Sequence, residues 1–144
     1  MNIFVFGSNE AGRHGAGAAL FAYKNHGAII GQGVGIQGYS YAIPTKDRKL
    51  KTLDLDKIKV YVNEFIKDAK IHGVFTFMVT EIGCGLAGYT PEEIAPLFKE
   101  TMDLDNVKLP ARFLDILEGN DSDEFTWLGM PLKERTKMSF GYDV

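Results

Sequence analysis

The chain has 144 residues, of which 45% are hydrophobic and 24% charged, with a formal net charge of −3. That length suffices for one domain with its own core, and the slightly acidic balance lacks the basic face that nucleic acid demands, so nucleic acid is not an expected partner. The single cysteine, Cys84, excludes an internal disulfide framework and a cysteine-based zinc site, and neither a metal nor a cofactor is expected.

Met1 leads directly into an apolar, β-rich run, Ile3-Phe4-Val5-Phe6, with no basic n-region and no long apolar segment. The expectation is a soluble, cytoplasmic protein that does not enter a membrane. The strand Asn2–Phe6 feeds Gly7-Ser-Asn-Glu-Ala-Gly-Arg-His-Gly-Ala-Gly17, and Ala16, Ala19, Leu20 and Tyr23 then follow helical spacing as far as His26 and Gly27. Strand, glycine-rich loop and helix together aim backbone N–H groups and a helix dipole at an anion. A tight turn alone needs one or two glycines, whereas four stand here within eleven residues. Asn9, Arg13 and His14 add polar side chains, and each of them also has an ordinary reading as a solvated loop residue.

From Ala28 to Ile43 the chain reads as a glycine-rich connection feeding a strand that ends at Pro44. Gly33-Val-Gly-Ile-Gln-Gly38 matches the dinucleotide-binding string, but it opens an extended segment rather than a helix. Lys46 to Lys51 is a basic loop, either a solvated turn or a lid over a phosphate-bearing ligand. The clearest helix follows, with Ile58, Val62, Phe65, Ile66 and Ala69 on one face, Asp54 as N-cap and Gly73 as stop. Val74–Thr80 is nearly continuously apolar, as suits a central strand covered on both faces. It runs into a second glycine loop, Glu81-Ile-Gly-Cys-Gly-Leu-Ala-Gly-Tyr89. Thr90, Pro91 and Glu93 form a capping box with proline at the first helical position, ahead of a face made by Ile94, Ala95, Phe98 and Met102. This helix starts beyond the last glycine, which disfavours a dinucleotide fold.

Asn106–Leu109 reads as a short last strand closed by Pro110. Arg112 to Leu117 fits strand or helix, and Glu118 to Glu124 an acidic turn. The aromatics Phe125, Trp127, Phe140 and Tyr142 suggest a tail that docks on the sheet edge or on a partner subunit. The expected organisation is one domain, 1–144, with a core over 1–105 and a C-terminal extension, 106–144, packed on it and able to support a homo-oligomer.

Two glycine loops, each after a strand and before a helix, resemble the macro domain, an ADP-ribose-binding module. Phe6-Gly-Ser-Asn9 followed by Gly12, Gly15 and Gly17 is similar to that family's asparagine and first glycine loop. Cys84-Gly-Leu-Ala-Gly-Tyr-Thr-Pro91 is similar to its diphosphate-wrapping loop. Gly12-Arg-His-Gly-Ala-Gly-Ala-Ala19 followed by Ser40-Tyr-Ala-Ile-Pro-Thr-Lys-Asp47 looks most like a group of phage and bacterial macro-like proteins. The resemblance covers roughly Asn2 to Met102 and implies a three-layer α/β/α fold with a mixed central sheet. It further implies an ADP-ribose-like nucleotide ligand bound through Gly7, Ser8, Asn9, Gly12, Gly15, Gly17, Gly83, Cys84, Gly85, Leu86, Ala87, Gly88 and Tyr89. The chain departs from the family in lacking strands ahead of Asn2, in carrying Ala18 and Ala19 where the hydrolytic branch has an acid, and in carrying Ala87 where an aromatic flanks the ribose.

Three functions follow from these residues. The first is a module that binds ADP-ribose or a related nucleotide diphosphate. The second is a hydrolase of an ADP-ribosyl or cyclic-nucleotide bond, with Asn9 positioning water and His14 or Glu81 as base, or with Cys84 as nucleophile. The third is a structural or interaction protein whose glycines serve only turns.

Overall fold

The computed structural model describes residues 1–119. The expected tail aromatics, most of the acidic turn and the oligomer contact lie outside the described residues. The elements run β1 (Asn2–Asn9), α1 (Gly17–Asn25), β2 (Gly35–Gln37), β3 (Ser40–Lys46), α2 (Leu55–Ile71), β4 (Thr76–Val79), α3 (Pro91–Ile94), a 3₁₀ stretch (Ala95–Asp103), β5 (Val107–Lys108) and α4 (Ala111–Leu117). The sheet order is β2-β3-β1-β4-β5. The β1–β3, β1–β4 and β4–β5 pairs are parallel and β2–β3 is antiparallel, so the sheet is mixed.

Alternation along β1 divides the core into two layers, because successive strand side chains point to opposite faces. Ile3 and Val5 join Tyr41, Ile43, Phe77 and Val79 beneath α2, α3, the 3₁₀ stretch and α4. Phe4 and Phe6 pack with Ala42 against Ala18, Ala19 and Ala22 of α1. The result is a three-layer α/β/α arrangement. The buried face of α1 is thus Ala18, Ala19 and Ala22; of the expected Ala16, Ala19, Leu20 and Tyr23 only Ala19 is buried, and Tyr23 is exposed. Two phenylalanines rise from the sheet at this point; the small alanines let the helix approach them, and Phe21 packs against Phe4 beside them.

The strand that opens the chain is longer than its apolar run, since Gly7, Ser8 and Asn9 continue β1. β3 likewise passes through Pro44 to Lys46. Proline is tolerated there because β2 pairs with β3 only as far as Ala42, leaving the outer edge open beyond it. Opposite, Ser8 pairs with Pro44 and Asn9 with Lys46, so Thr45 forms a bulge.

α2 matches the expected face, and the Asp54 side chain accepts from the Lys57 amide at 2.9 Å. β4 differs from expectation. Thr76 and Met78 are half-buried while Phe77 and Val79 are buried, so one face alone is fully covered. Among the described residues a single nine-residue helix serves the other face. After Ile94 the helix tightens, with Pro96 removing an N–H donor from its first turn. The burial period becomes three, so Ala95, Phe98 and Thr101 face inward and Met102 turns outward. Arg112 to Leu117 resolves as helix.

Candidate functional site

Parallel pairing brings the carboxyl ends of β1, β3 and β4 to one edge of the sheet, where ligands gather in open α/β folds. A cleft of about 350 Å³ opens there, within the roughly 300–1,000 Å³ typical of small-molecule sites. The two glycine loops, far apart in sequence, both line it. Gly7, Ser8, Asn9, Gly15 and Gly17 come from the first, with Gly83, Gly85, Leu86 and Ala87 from the second. Thr45, Lys46 and Leu50 close the third side.

The start of α1 forms one wall through Ala16, Gly17, Ala18 and Ala19. No side chain caps this helix, so its first-turn amides are available to an anion in the cleft. α3 is the opposite case. Thr90 and Glu93 complete the capping box there, and the side chain of Thr90 accepts from the Glu93 amide at 3.3 Å. The Thr90 and Glu93 amides are therefore engaged by that helix's own sequence. Of the two helix starts flanking the glycine loops, only that of α1 lines the cleft.

Several residues expected to bind have other work. The carboxamide of Asn9 closes the first loop on itself, donating to the Arg13 carbonyl at 2.8 Å and accepting from the Arg13 amide at 2.9 Å. Gly12 does not line the cleft. It has φ +71°, and a Cβ there would lie 2.4 Å from the Gln32 amide nitrogen, so its smallness lets the Gly31–Gln32 backbone pass. Gly33 serves the same approach, since a Cβ on it would lie 2.0 Å from the Asn9 carbonyl oxygen. Of the glycines in the connection before β3, Gly33 is thus explained by packing against the first loop, whereas Gly38 lies against Gly27, where a Cβ would come within 2.5 Å of the carbonyl oxygen.

Gly88 and Tyr89 also stand back from the lining. The Tyr89 hydroxyl donates to the Leu53 carbonyl at 2.5 Å, while the Thr52 hydroxyl donates to the Ala87 carbonyl at 3.0 Å. These two bonds tie the second glycine loop to the segment after β3. Gly17, with φ +58°, would bring a Cβ within 3.2 Å of Leu86 Cδ1.

Of the candidate catalytic residues Asn9, His14, Glu81 and Cys84, only Asn9 lines the cleft. His14 is buried, with Nε2 at 3.1 Å from the Gln32 carbonyl and its ring edge-on to Phe6. It lies within the α1-side layer and is absent from the cleft lining. Glu81 is ion-paired with Arg112 of α4 at 3.3 Å. Cys84 packs against the larger core layer, and burial, reinforced by the Glu81 carboxylate, pushes its thiol up to about 12. A thiol held in that state is a poor nucleophile at neutral pH.

Sequence reasoning missed Thr45 and Leu50. Thr45 reaches the cleft through a bulge, which hydropathy does not reveal, and Leu50 is one apolar residue inside a charged turn. The basic loop divides, for Lys46 lines the cleft whereas Arg48 reaches back to the Glu10 carbonyl. Among the described residues no group of His, Cys, Asp and Glu is arranged to hold a metal, and no helix is long and apolar enough to cross a membrane. Comparison with family models, with curated proteins and with solved structures finds no match.

Proposed function

We infer that the chain binds ADP-ribose or a related nucleotide diphosphate, in the manner its resemblance to the macro domain implies, with the diphosphate held between the two glycine loops. The observation that carries this reading is the convergence of both loops on one cleft beside the uncapped start of α1. Backbone amides and a helix dipole supply most of the anion binding, and Arg13 and Lys46 add positive charge from either side. A binding role rather than a hydrolytic one is supported by the engagement of the candidate bases. General acid–base chemistry needs a group within reach of the reacting atoms, whereas His14 lies in the core and Glu81 is held by Arg112. The lone, half-buried cysteine suits a reducing cytoplasm.

Calorimetric titration with ADP-ribose tests the reading. Gly15 lines the cleft and has open space where a Cβ would stand, so Gly15→Glu leaves the fold intact while placing a negative charge beside the phosphates. Binding by wild type, weakened about tenfold or more in Gly15→Glu, is the expected result, equivalent to at least about 1.4 kcal/mol. Absence of binding at millimolar ADP-ribose would overturn the proposal. Product analysis with an ADP-ribosylated protein should return the substrate uncleaved.

A further inference from the structure

Two large apolar side chains stand exposed on this cleft of mostly small residues, Leu50 at 41% and Leu86 at 66% of their full accessibility. They come from different loops. Leu50 is the one non-glycine residue with positive φ among the described residues, at +66°, a conformation that a Cβ disfavours. Asp47 holds it there, its carboxylate accepting from the Lys49 amide at 2.8 Å and the Lys51 amide at 3.0 Å while its carbonyl accepts from the Leu50 amide at 3.1 Å. Glycine would satisfy that backbone more easily. What leucine adds is an apolar surface aimed into the cleft.

The neutral polar side chains of the lining are already committed. Ser8 donates to the Gly33 carbonyl, Asn9 is bonded twice to the Arg13 backbone, and Thr45 donates to the Ser8 carbonyl at 3.4 Å. The remaining polar side chains on the lining are the cations Arg13 and Lys46. Such a surface attracts phosphate and covers a flat apolar body, but it has little with which to read the hydrogen-bonding edge of a base. Sites that hydrogen-bond a substrate group discriminate by roughly 10⁴–10⁵, whereas apolar contact discriminates only about 10–200-fold.

We propose that the cleft takes nucleoside diphosphates with little regard to the base, which lies against Leu50 and Leu86 while Arg13, Lys46 and the backbone amides hold the phosphates. This rests on the diphosphate reading above and narrows it to a class of ligand recognised by charge and a planar ring.

The test is titration of the full chain with ADP, GDP, CDP, UDP and inorganic pyrophosphate, the last as a probe without a base. The four nucleotides should bind within about tenfold of one another and pyrophosphate at least about tenfold more weakly. Leu50→Gly should bring nucleotide affinity down towards that of pyrophosphate, leave pyrophosphate binding unchanged and leave the melting temperature no lower than wild type. Leu86→Ala, on an exposed loop position, should act in the same direction. A preference above about a hundredfold for one base, or unchanged nucleotide affinity in both leucine variants, would overturn the proposal. Pyrophosphate binding as tightly as the nucleotides would also overturn it while leaving the diphosphate reading standing. Failure of all five probes to bind would bring down the diphosphate reading itself.

Discussion

At the scale of single residues, backbone contact decides what each glycine can become. A Cβ on Gly33 would lie 2.0 Å from the Asn9 carbonyl oxygen, backbone that cannot swing aside as a side chain can. Gly33→Ala is therefore expected to lower unfolding free energy by about 2 kcal/mol or more, as read by urea denaturation. Gly15→Ala, with open space around its Cβ, should unfold like wild type. Cys84 makes a second residue-scale prediction. Its thiol is raised from 9.0 to about 12, chiefly by burial and then by Glu81. An acid whose folded pKa is raised keeps its proton longer in the native state than in the unfolded one, so its contribution is complete below about pH 9 and is lost as pH climbs towards 12. Alkylation of the native protein by iodoacetamide at about pH 8 should accordingly be much slower than that of the unfolded chain, and Cys84→Ser should flatten the loss of stability above about pH 9.

At the scale of elements, caps and periods explain most of what happens. Asp54→Ala removes the acceptor for the Lys57 amide and should cost about 1 kcal/mol, measured as a shift in the denaturation midpoint with unchanged slope. This cap was legible in the sequence because a capping side chain acts on its own neighbours, and the same holds for Thr90 and Glu93. The face of α2 was legible for a related reason: seventeen residues carry enough periods to define a stripe. What sequence patterning did not reveal depends on contacts made at a distance. The alanine face of α1 answers Phe4 and Phe6 across a layer, the bulge at Thr45 exists only in the pairing of β1 with β3, and the inward turn of Thr101 reflects a change of helical period after Ile94. The glycine loops were recognised as such, but sequence could not separate Gly7, Gly15 and Gly17, which line the cleft, from Gly12, which admits another stretch of backbone.

At the scale of the molecule, β1 sits between β3 and β4 with a packed layer on either face, and its long-range pairings must form before the cleft exists. Native-state hydrogen exchange should find its amides among the most protected, with those of residues 47–51 opening far more readily; equal protection of the two would contradict this order. The cleft itself is assembled from segments that lean on one another. Ser8 donates to Gly33, the Gly31 amide donates to the Gly12 carbonyl at 2.9 Å, and neither backbone leaves room for a side chain between them. For an engineer wishing to transplant this cleft onto another scaffold, the first glycine loop is consequently not a portable cassette. The stretch around residues 31–33 must travel with it in the same register, and a library that randomises one while holding the other fixed will return mostly chains in which Asn9 can no longer close its loop.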